Sequence, residues 1–322
     1  MSGFWVPEYT RLRFIYCHQG PLSPQEYLGS AWRGAFGHSL RAQCCNTTLD
    51  NCGNCPRQQG CNYTYLFETP TASTGGGVNT NAPHPFILRP LPQGGHDKSF
   101  TVEVTLVGRA SRMATLVAEG LYQAGLRGVG SRSTIFRLET VQQHDGNRWV
   151  DYPATGTVPP TPPVPESATL HLLTPLRLKQ GNALVTDLSP TALLLAIRQR
   201  ILRLSQYHSD GAGFAECHLP YLAPESAPAH SKELRWVELD RYSSRQQRSH
   251  KMGGLVGHVD LSLQGLEAFW PALWHGQYLH VGKLTTMGLG AYRIELPQAC
   301  QAREHAHVFD TVTAIATRGA YR

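Results

Sequence analysis

Lysine is scarce in this chain: only 5 of its 29 cationic side chains are lysine, and none precedes Lys98. The other 24 are arginine. Arginine presents a planar fork of donors that grips phosphate and stacks on bases. A GC-rich genome gives the same bias, so the bias alone decides nothing. Long apolar runs are also missing, which excludes a membrane-crossing helix. The opening Met-Ser-Gly-Phe-Trp-Val-Pro-Glu has no basic segment followed by a hydrophobic one. No secretion signal is therefore expected, and the chain is placed in the reducing cytoplasm. Acidic residues are fewer than basic ones, leaving a modest formal charge of +6. At 322 residues there is room for two domains of ordinary size.

Cysteine is present but confined. Five of the eight lie between Cys44 and Cys61. In Cys52-Gly-Asn-Cys55 two thiols are spaced to bind one metal ion from a knuckle, and Cys61 with either Cys44 or Cys45 would complete a tetrahedral set. The expectation is a structural zinc on Cys45, Cys52, Cys55 and Cys61. Four thiolates leave no open position, so no catalytic metal is expected. Two disulfides are the competing arrangement, disfavoured in a reducing compartment. Cys17, Cys217 and Cys300 read as isolated thiols.

Along the chain, Leu12–Cys17 alternates as a strand. Residues 24–42 read as a helix, with Ser23 as cap, Pro24 in the first turn, and apolar residues from Tyr27 to Leu40 near a 3.6-residue period. Gly29, Gly34 and Gly37 weaken that helix but permit close approach of a backbone or ligand. Asn62–Thr69 reads as extended, 71–83 as a loop, and Phe100–Gly108 as a strand. Arg112–Leu126 reads as a helix and Phe136–Gln143 as a strand. Residues 151–167 hold six prolines and read as a semi-rigid linker. The second half repeats the order: strand 169–178, helix 189–208, strands 234–241 and 254–263 as a hairpin, helix 265–275, strand 291–296. The fold class is α+β, with two βαββαβ halves at 1–150 and 168–322 and the cysteine insertion 44–61 in the first.

Two segments point to a ligand. Arg241, Arg245, Arg248 and Lys251 recur at near-regular spacing with almost no acids between them. His280-Val-Gly-Lys-Leu-Thr-Thr-Met-Gly-Leu-Gly290 is a glycine loop carrying Lys283, Gly288 and Gly290. A cationic strand beside exposed amides is a place where a phosphodiester backbone can lie, so RNA is the expected ligand. A solvated edge strand kept from aggregating by its charges is the plainer alternative.

Several segments, in order, resemble the CRISPR-associated repeat-RNA endoribonucleases, the Cas-six family of the RAMP superfamily. They are Trp32-Arg-Gly-Ala-Phe-Gly-His-Ser-Leu-Arg41, the cysteine knuckle leading to Leu66-Phe-Glu-Thr-Pro70, His84-Pro-Phe, Arg241 to Gly257, and Val281 to Tyr292. The resemblance implies two tandem ferredoxin-like domains of the RRM/RAMP type. It implies binding of the CRISPR repeat RNA and one metal-independent cut, giving a 2′,3′-cyclic phosphate and mature crRNA. It also implies transfer of that guide to subunits of an effector complex. A non-catalytic subunit that only holds the guide is the alternative. RNA supplies its own nucleophile, so the protein must supply an acid, a base and cations. His38 matches the family's catalytic helix position and is the expected acid or base, although a lone histidine on such a helix is also an ordinary surface residue. Tyr27 is a weaker candidate for orienting the 2′-hydroxyl, and His18 and His250 are reserves. Arg33, Arg41 and Lys283 are expected to meet the RNA, standing in for the lysine many members use. Leu284 departs from the Gly-Lys-Gly that relatives carry in the loop.

Overall fold

The structure is a computed structural model. It describes residues 6–22, 26–47, 49, 51–69, 82–91, 98–156, 158–209, 229–243 and 248–297, the side chains of 229, 230, 240–243 and 248–250 excepted. Arg245, Ser23, Pro24, Cys217, Cys300 and the tail beyond 297 lie outside the described residues.

The first half begins with β1 (Tyr9–Gln19) and α1 (Gly29–Cys44). It continues with β2 (Phe86–Pro90), β3 (Ser99–Val107), α2 (Ala114–Arg127), β4 (Ile135–His144) and β5 (Trp149–Asp151). Its sheet runs β2-β3-β1-β4-β5 and is antiparallel at every pairing. Alternation along β1 sends Leu12, Phe14 and Tyr16 into a core with Trp32, Phe36 and Leu40 of α1 and Val117, Leu121 and Ala124 of α2. Arg11 and Arg13, one residue out of phase, face the other side of the sheet.

The second half holds β6 (Ser167–Leu176), a short ribbon of β7 (Lys179–Gln180) and β8 (Ala183–Leu184), α3 (Pro190–His208) and β9 (Ala229–Val237). A second ribbon follows, β10 (Asp240–Ser243) with β11 (Arg248–Lys251). Then come β12 (Gly254–Ser262), α4 (Trp270–Leu279) and β13 (Tyr292–Glu295). The main sheet runs β13-β6-β12-β9. Helix α3 forms as its sequence dictates. The Ser189 side chain accepts from the Ala192 amide at 3.1 Å, Pro190 sits in the first turn, and Leu193, Leu194, Ile197, Ile201 and Leu204 are buried.

Several expected elements shift. Helix α1 starts at Gly29 rather than 24 and has no side-chain cap. Residues 64–68, expected extended, form a π-helical turn that buries Leu66 and Phe67. The helix expected at 265–275 runs 270–279, because Pro271 suits the first turn. β9 and β12 do pair, but the arginine-rich residues between them form their own ribbon. The described residues of the 152–166 stretch hold no regular element. It lies against α4: the Trp270 indole donates to the Pro162 carbonyl at 2.7 Å, and Thr161 meets His275 at 2.7 Å. Tyr9, Ile87 and Val107 of the first half are buried in the core of the second.

Candidate active site

A small apolar cluster joins three elements that carry the expected site residues. Met252, Met287 and Leu289 are buried together, with Tyr27, Leu239 and Leu284 packed against them. Leu239 and Met252 flank the β10–β11 ribbon, and the Met252 amide closes it on the Leu239 carbonyl at 2.8 Å. Leu284, Met287 and Leu289 belong to the glycine loop, and Tyr27 leads into α1. Burial of these side chains brings together α1, the basic ribbon and the glycine loop, and β10 packs beside α1.

The loop itself is tightly specified. Leu284 (φ 64°) and Gly288 (φ 88°) both adopt the left-handed conformation around a single turn at 285–287. For leucine that conformation costs on the order of 1 kcal/mol, offset by its place in the apolar cluster. This is the position where the resemblance expects glycine. A Cβ on Gly290 would collide with the Val281 carbonyl.

Helix α1 is fastened to this loop at three points. The Tyr27 hydroxyl donates to the Met287 carbonyl at 2.6 Å. Gly29 lies so close that a Cβ would overlap the same carbonyl. Arg33 Nε donates to Thr286 Oγ1 at 3.1 Å, and its guanidinium lies 5.2 Å from the Phe67 ring. One turn further, Gly34 and His38 are exposed on the outer face. Beside Gly34 there is open space where a side chain would otherwise stand. His38 is therefore an imidazole presented to solvent on a braced helix with room for a ligand next to it.

Three expectations are corrected. Tyr27 does not share a helical face with His38, because the helix begins after it. Its hydroxyl donates to the Met287 carbonyl, and burial raises its pKa, so the phenol keeps its proton and is not free to orient a 2′-hydroxyl. Gly288 and Gly290 do not offer exposed amides. Both are buried, and their N–H groups already donate to Thr285 and Pro175 carbonyls at 2.9 and 3.1 Å. Arg41 turns toward the cysteine segment, donating to the Leu49 carbonyl at 2.8 Å and lying 5.9 Å from the Tyr63 ring.

Lys251 and Lys283 are exposed. Arg241 and Arg248 sit on the ribbon, with Ser243 paired to Arg248 and Arg241 to His250; Arg245 lies in the undescribed turn between the strands. His18 lies on β1, its Nδ1 2.9 Å from the Gly20 carbonyl.

Cys44, Cys45, Cys52, Cys55 and Cys61 are free, half-buried thiols. Cys52 to Cys55 closes one tight turn, Cys55 N–H to Cys52 carbonyl at 3.1 Å, and Gln58 N–H to Cys55 carbonyl at 3.0 Å closes the next. The donor set suits zinc. Among the described residues, however, no three or more Cys, His, Asp or Glu side chains stand together as a ligand set.

Sequence reasoning missed His280. It is buried beside the loop, with Nδ1 3.1 Å from the Leu289 carbonyl. Burial, with a contribution from Arg89, pushes its pKa down to about 3, so the ring is neutral and donates that hydrogen bond. Its place as the residue that opens the glycine loop was the available signal; its positive φ of 52° is visible only in the structure. Also missed was Glu103, which Arg13 and Arg89 grip at 2.7 and 3.1 Å. Burial alone would raise its pKa, yet Arg89, Arg11 and Arg13 hold it down at about 2.

Comparison with known proteins gives one family match for each half. The CRISPR-associated endoribonuclease Cas6 family matches residues 170–292, and the AF_1859-type N-terminal domain family matches residues 6–160. No curated protein matches the sequence. Among solved structures, Thermus thermophilus Cas6 is 17% identical with a TM-score of 0.50, covering 91% of this chain and 100% of that one. A Cas6 product complex is 16% identical with a TM-score of 0.53, covering 89% and 100%. A partial Cas6-RT-Cas1–Cas2 complex is 14% identical with a TM-score of 0.54, covering 97% of this chain and 50% of that one. At these identities the likeness carries the fold: a mixed α/β chain with antiparallel sheets, as in these proteins. The Cas6 endoribonuclease match lies over the half that holds the basic ribbon and glycine loop, and the likeness in fold to solved Cas6 proteins extends over most of the chain.

Proposed function

We propose that this chain is an endoribonuclease, which cuts the repeat of a CRISPR precursor RNA by attack of the RNA's own 2′-hydroxyl, with His38 as general acid or base and no catalytic metal. The observation that carries this is the exposed His38 imidazole on a helix fastened to the glycine loop beside a basic ribbon. The 2′-oxygen attacks the adjacent phosphorus, the P–O5′ bond breaks, and a 2′,3′-cyclic phosphate and a 5′-hydroxyl end result. One group must take the 2′-proton and one must give a proton to O5′; a positioned histidine contributes about 10²–10⁴-fold. Arg33, Lys251 and Lys283, with Arg241, Arg245 and Arg248 of the ribbon, would carry the backbone charge. Arg33 keeps Thr286 as a neighbour while doing so.

On this reading the halves are tandem ferredoxin-like domains, 1–150 and 168–322, joined by the linker 151–167. The strand order fourth–first–third–second in both sheets, with β5 added beyond β4 in the first, supports it. A structural zinc on Cys45, Cys52, Cys55 and Cys61 is proposed from donor chemistry and the two tight turns, not from a converged ligand set. It would order the 44–61 insertion; metal content by mass spectrometry and the thermal shift on chelation test it. A cytoplasmic location and transfer of the guide to effector subunits are proposed with it. Another Cas6 structure is described as part of a complex with Cas1 and Cas2.

The test is wild type against His38→Ala, each with end-labelled repeat RNA in EDTA, following cleavage and binding together. Wild type should cut at one position, and the variant should bind without cutting. If both bind and neither cuts, His38 is not the acid or base and the chain holds a guide without processing it.

A further inference from the structure

The second sheet carries two histidines side by side on the face away from its core. The core face takes Ala168, Leu170 and Leu172 of β6 and Val259 and Leu261 of β12. Residues one position out of phase point the other way. Among these, His171 of β6 stands directly opposite His258 of β12, with Arg293 of β13 beyond the first and Glu233 of β9 beyond the second. The next row on the same face is Glu295, Thr169, Asp260 and Ser231. Both imidazoles are half-buried, and their centroids lie 5.9 Å apart. Metal–nitrogen bonds of about 2.0–2.1 Å in a tetrahedral array hold two imidazole centroids roughly 5–6 Å apart.

The surroundings favour a cation. His171 Nε2 meets Glu295 Oε2 at 2.8 Å. A carboxylate on one ring nitrogen fixes the tautomer and leaves the other, Nδ1, with its lone pair for a metal. Asp260 accepts from the Ser231 and Thr169 hydroxyls at 2.5 and 2.6 Å. These bonds, with smaller contributions from His258 and His171, hold its carboxyl below the usual range, so Asp260 is ionised at neutral pH. Glu295, Asp260 and Glu233 place three carboxylates around the pair, against the single guanidinium of Arg293. Such a field repels a phosphodiester and draws in a divalent ion. Imidazole donors select zinc, nickel or copper over magnesium, which prefers oxygen.

We propose that His171 and His258 bind a divalent transition-metal ion of the zinc class across β6 and β12, with Glu295 as the carboxylate that orients His171. Glu295 is engaged with His171 and no three side chains converge, so two protein nitrogens and water make up the shell. The site is separate from the cysteine segment, whose donors are thiolates. An ion held here joins the first and third strands of the second sheet and stabilises the folded chain by mass action.

The experiment titrates the full chain with Co²⁺ and follows absorbance and thermal unfolding. Cobalt stands in for zinc because its spectrum reports its ligands: thiolate gives an intense near-ultraviolet charge-transfer band that imidazole and water do not. Wild type should take up Co²⁺ with bands of the imidazole type and unfold at a higher temperature. His171→Ala and His258→Ala should each weaken that uptake about tenfold or more and remove the gain in unfolding temperature. Glu295→Gln should weaken it about tenfold. Excess Mg²⁺ should not displace the cobalt. Unfolding in metal-free buffer identifies a variant that fails to fold, and the other histidine variant then supplies the reading. A spectrum with the thiolate band alone, uptake by both histidine variants equal to wild type, or displacement by Mg²⁺ would each overturn the site.

Discussion

Helices α1 and α3 occupy the same place in the two halves, each following the first strand, and they are built in opposite ways. α3 is specified from within: a serine cap, a proline in its first turn and an uninterrupted Leu/Ile stripe. α1 has no side-chain cap, contains Gly29, Gly34 and Gly37, and leaves Gly34 and His38 exposed. Its position is set from outside, by Tyr27, Gly29 and Arg33 against a loop more than 250 residues later in the chain. The comparison teaches that α1 has given up local stability for an exposed face with open space beside Gly34, and that tertiary contacts make up the difference.

That contrast can be broken at its strongest point. Gly29→Ala places a Cβ onto the Met287 carbonyl, so α1 and the glycine loop must separate. We expect a loss of about 2–3 kcal/mol in urea unfolding and cleavage reduced by an order of magnitude or more; a wild-type profile would show that the helix is not held there. The next effect is on pH. His280 is 4% exposed with a folded pKa of about 3, far below the ordinary histidine value of about 6.5. A depressed value means the unfolded chain binds the proton more readily. Stability from this group is therefore complete above about pH 6.5 and falls as pH drops toward 3. His275 and His208, each with a pKa pushed down to about 4 mainly by burial, add to the same loss. Unfolding free energies from urea titrations at pH 7 and pH 5 should differ by several kcal/mol, about 2 kcal/mol for each of these histidines, and His280→Asn should reduce the dependence by one such share. A pH-independent stability would show that these rings are not buried neutral.

Two smaller substitutions sharpen the comparison. Ser189→Ala removes the cap of α3 and should cost about 1 kcal/mol without changing the cleavage rate; calorimetry and the RNA assay together check this. Gly34→Ala enters open space on α1 and should stabilise by about 0.5–1 kcal/mol. If RNA lies over that face, the same substitution raises the RNA concentration needed for half-maximal cleavage.

Elements whose signal is local were readable in the sequence. The cap at Ser189, the alternation of β1 and β3, the stripe on α3 and the proline stretch each depend on neighbours within a few residues. The start of α1 was not readable, because apolar residues at Tyr27 and Leu28 continue the helical period while their side chains answer to distant partners. Residues 64–68 looked extended because aromatics favour strands, yet Phe67 packs on Phe36 and Phe86 and the turn follows. Of the site, His38, Arg33 and the basic ribbon were legible as residues. The work of the glycines was not. The pattern suggested amides offered to a ligand, whereas Gly288 and Gly290 make close internal approach possible. The cluster of Glu103 with Arg11, Arg13 and Arg89 was invisible because its members lie on three strands.

The apolar cluster of Met252, Met287 and Leu289 with Tyr27 also sets a timetable. A ribosome that has made the first half has released His38 but neither the ribbon nor the loop against which α1 is fastened. The surface that α1, the ribbon and the loop build together cannot assemble until synthesis has passed Leu289, so a growing chain, or one truncated before that point, carries His38 on a helix with nothing to fasten it.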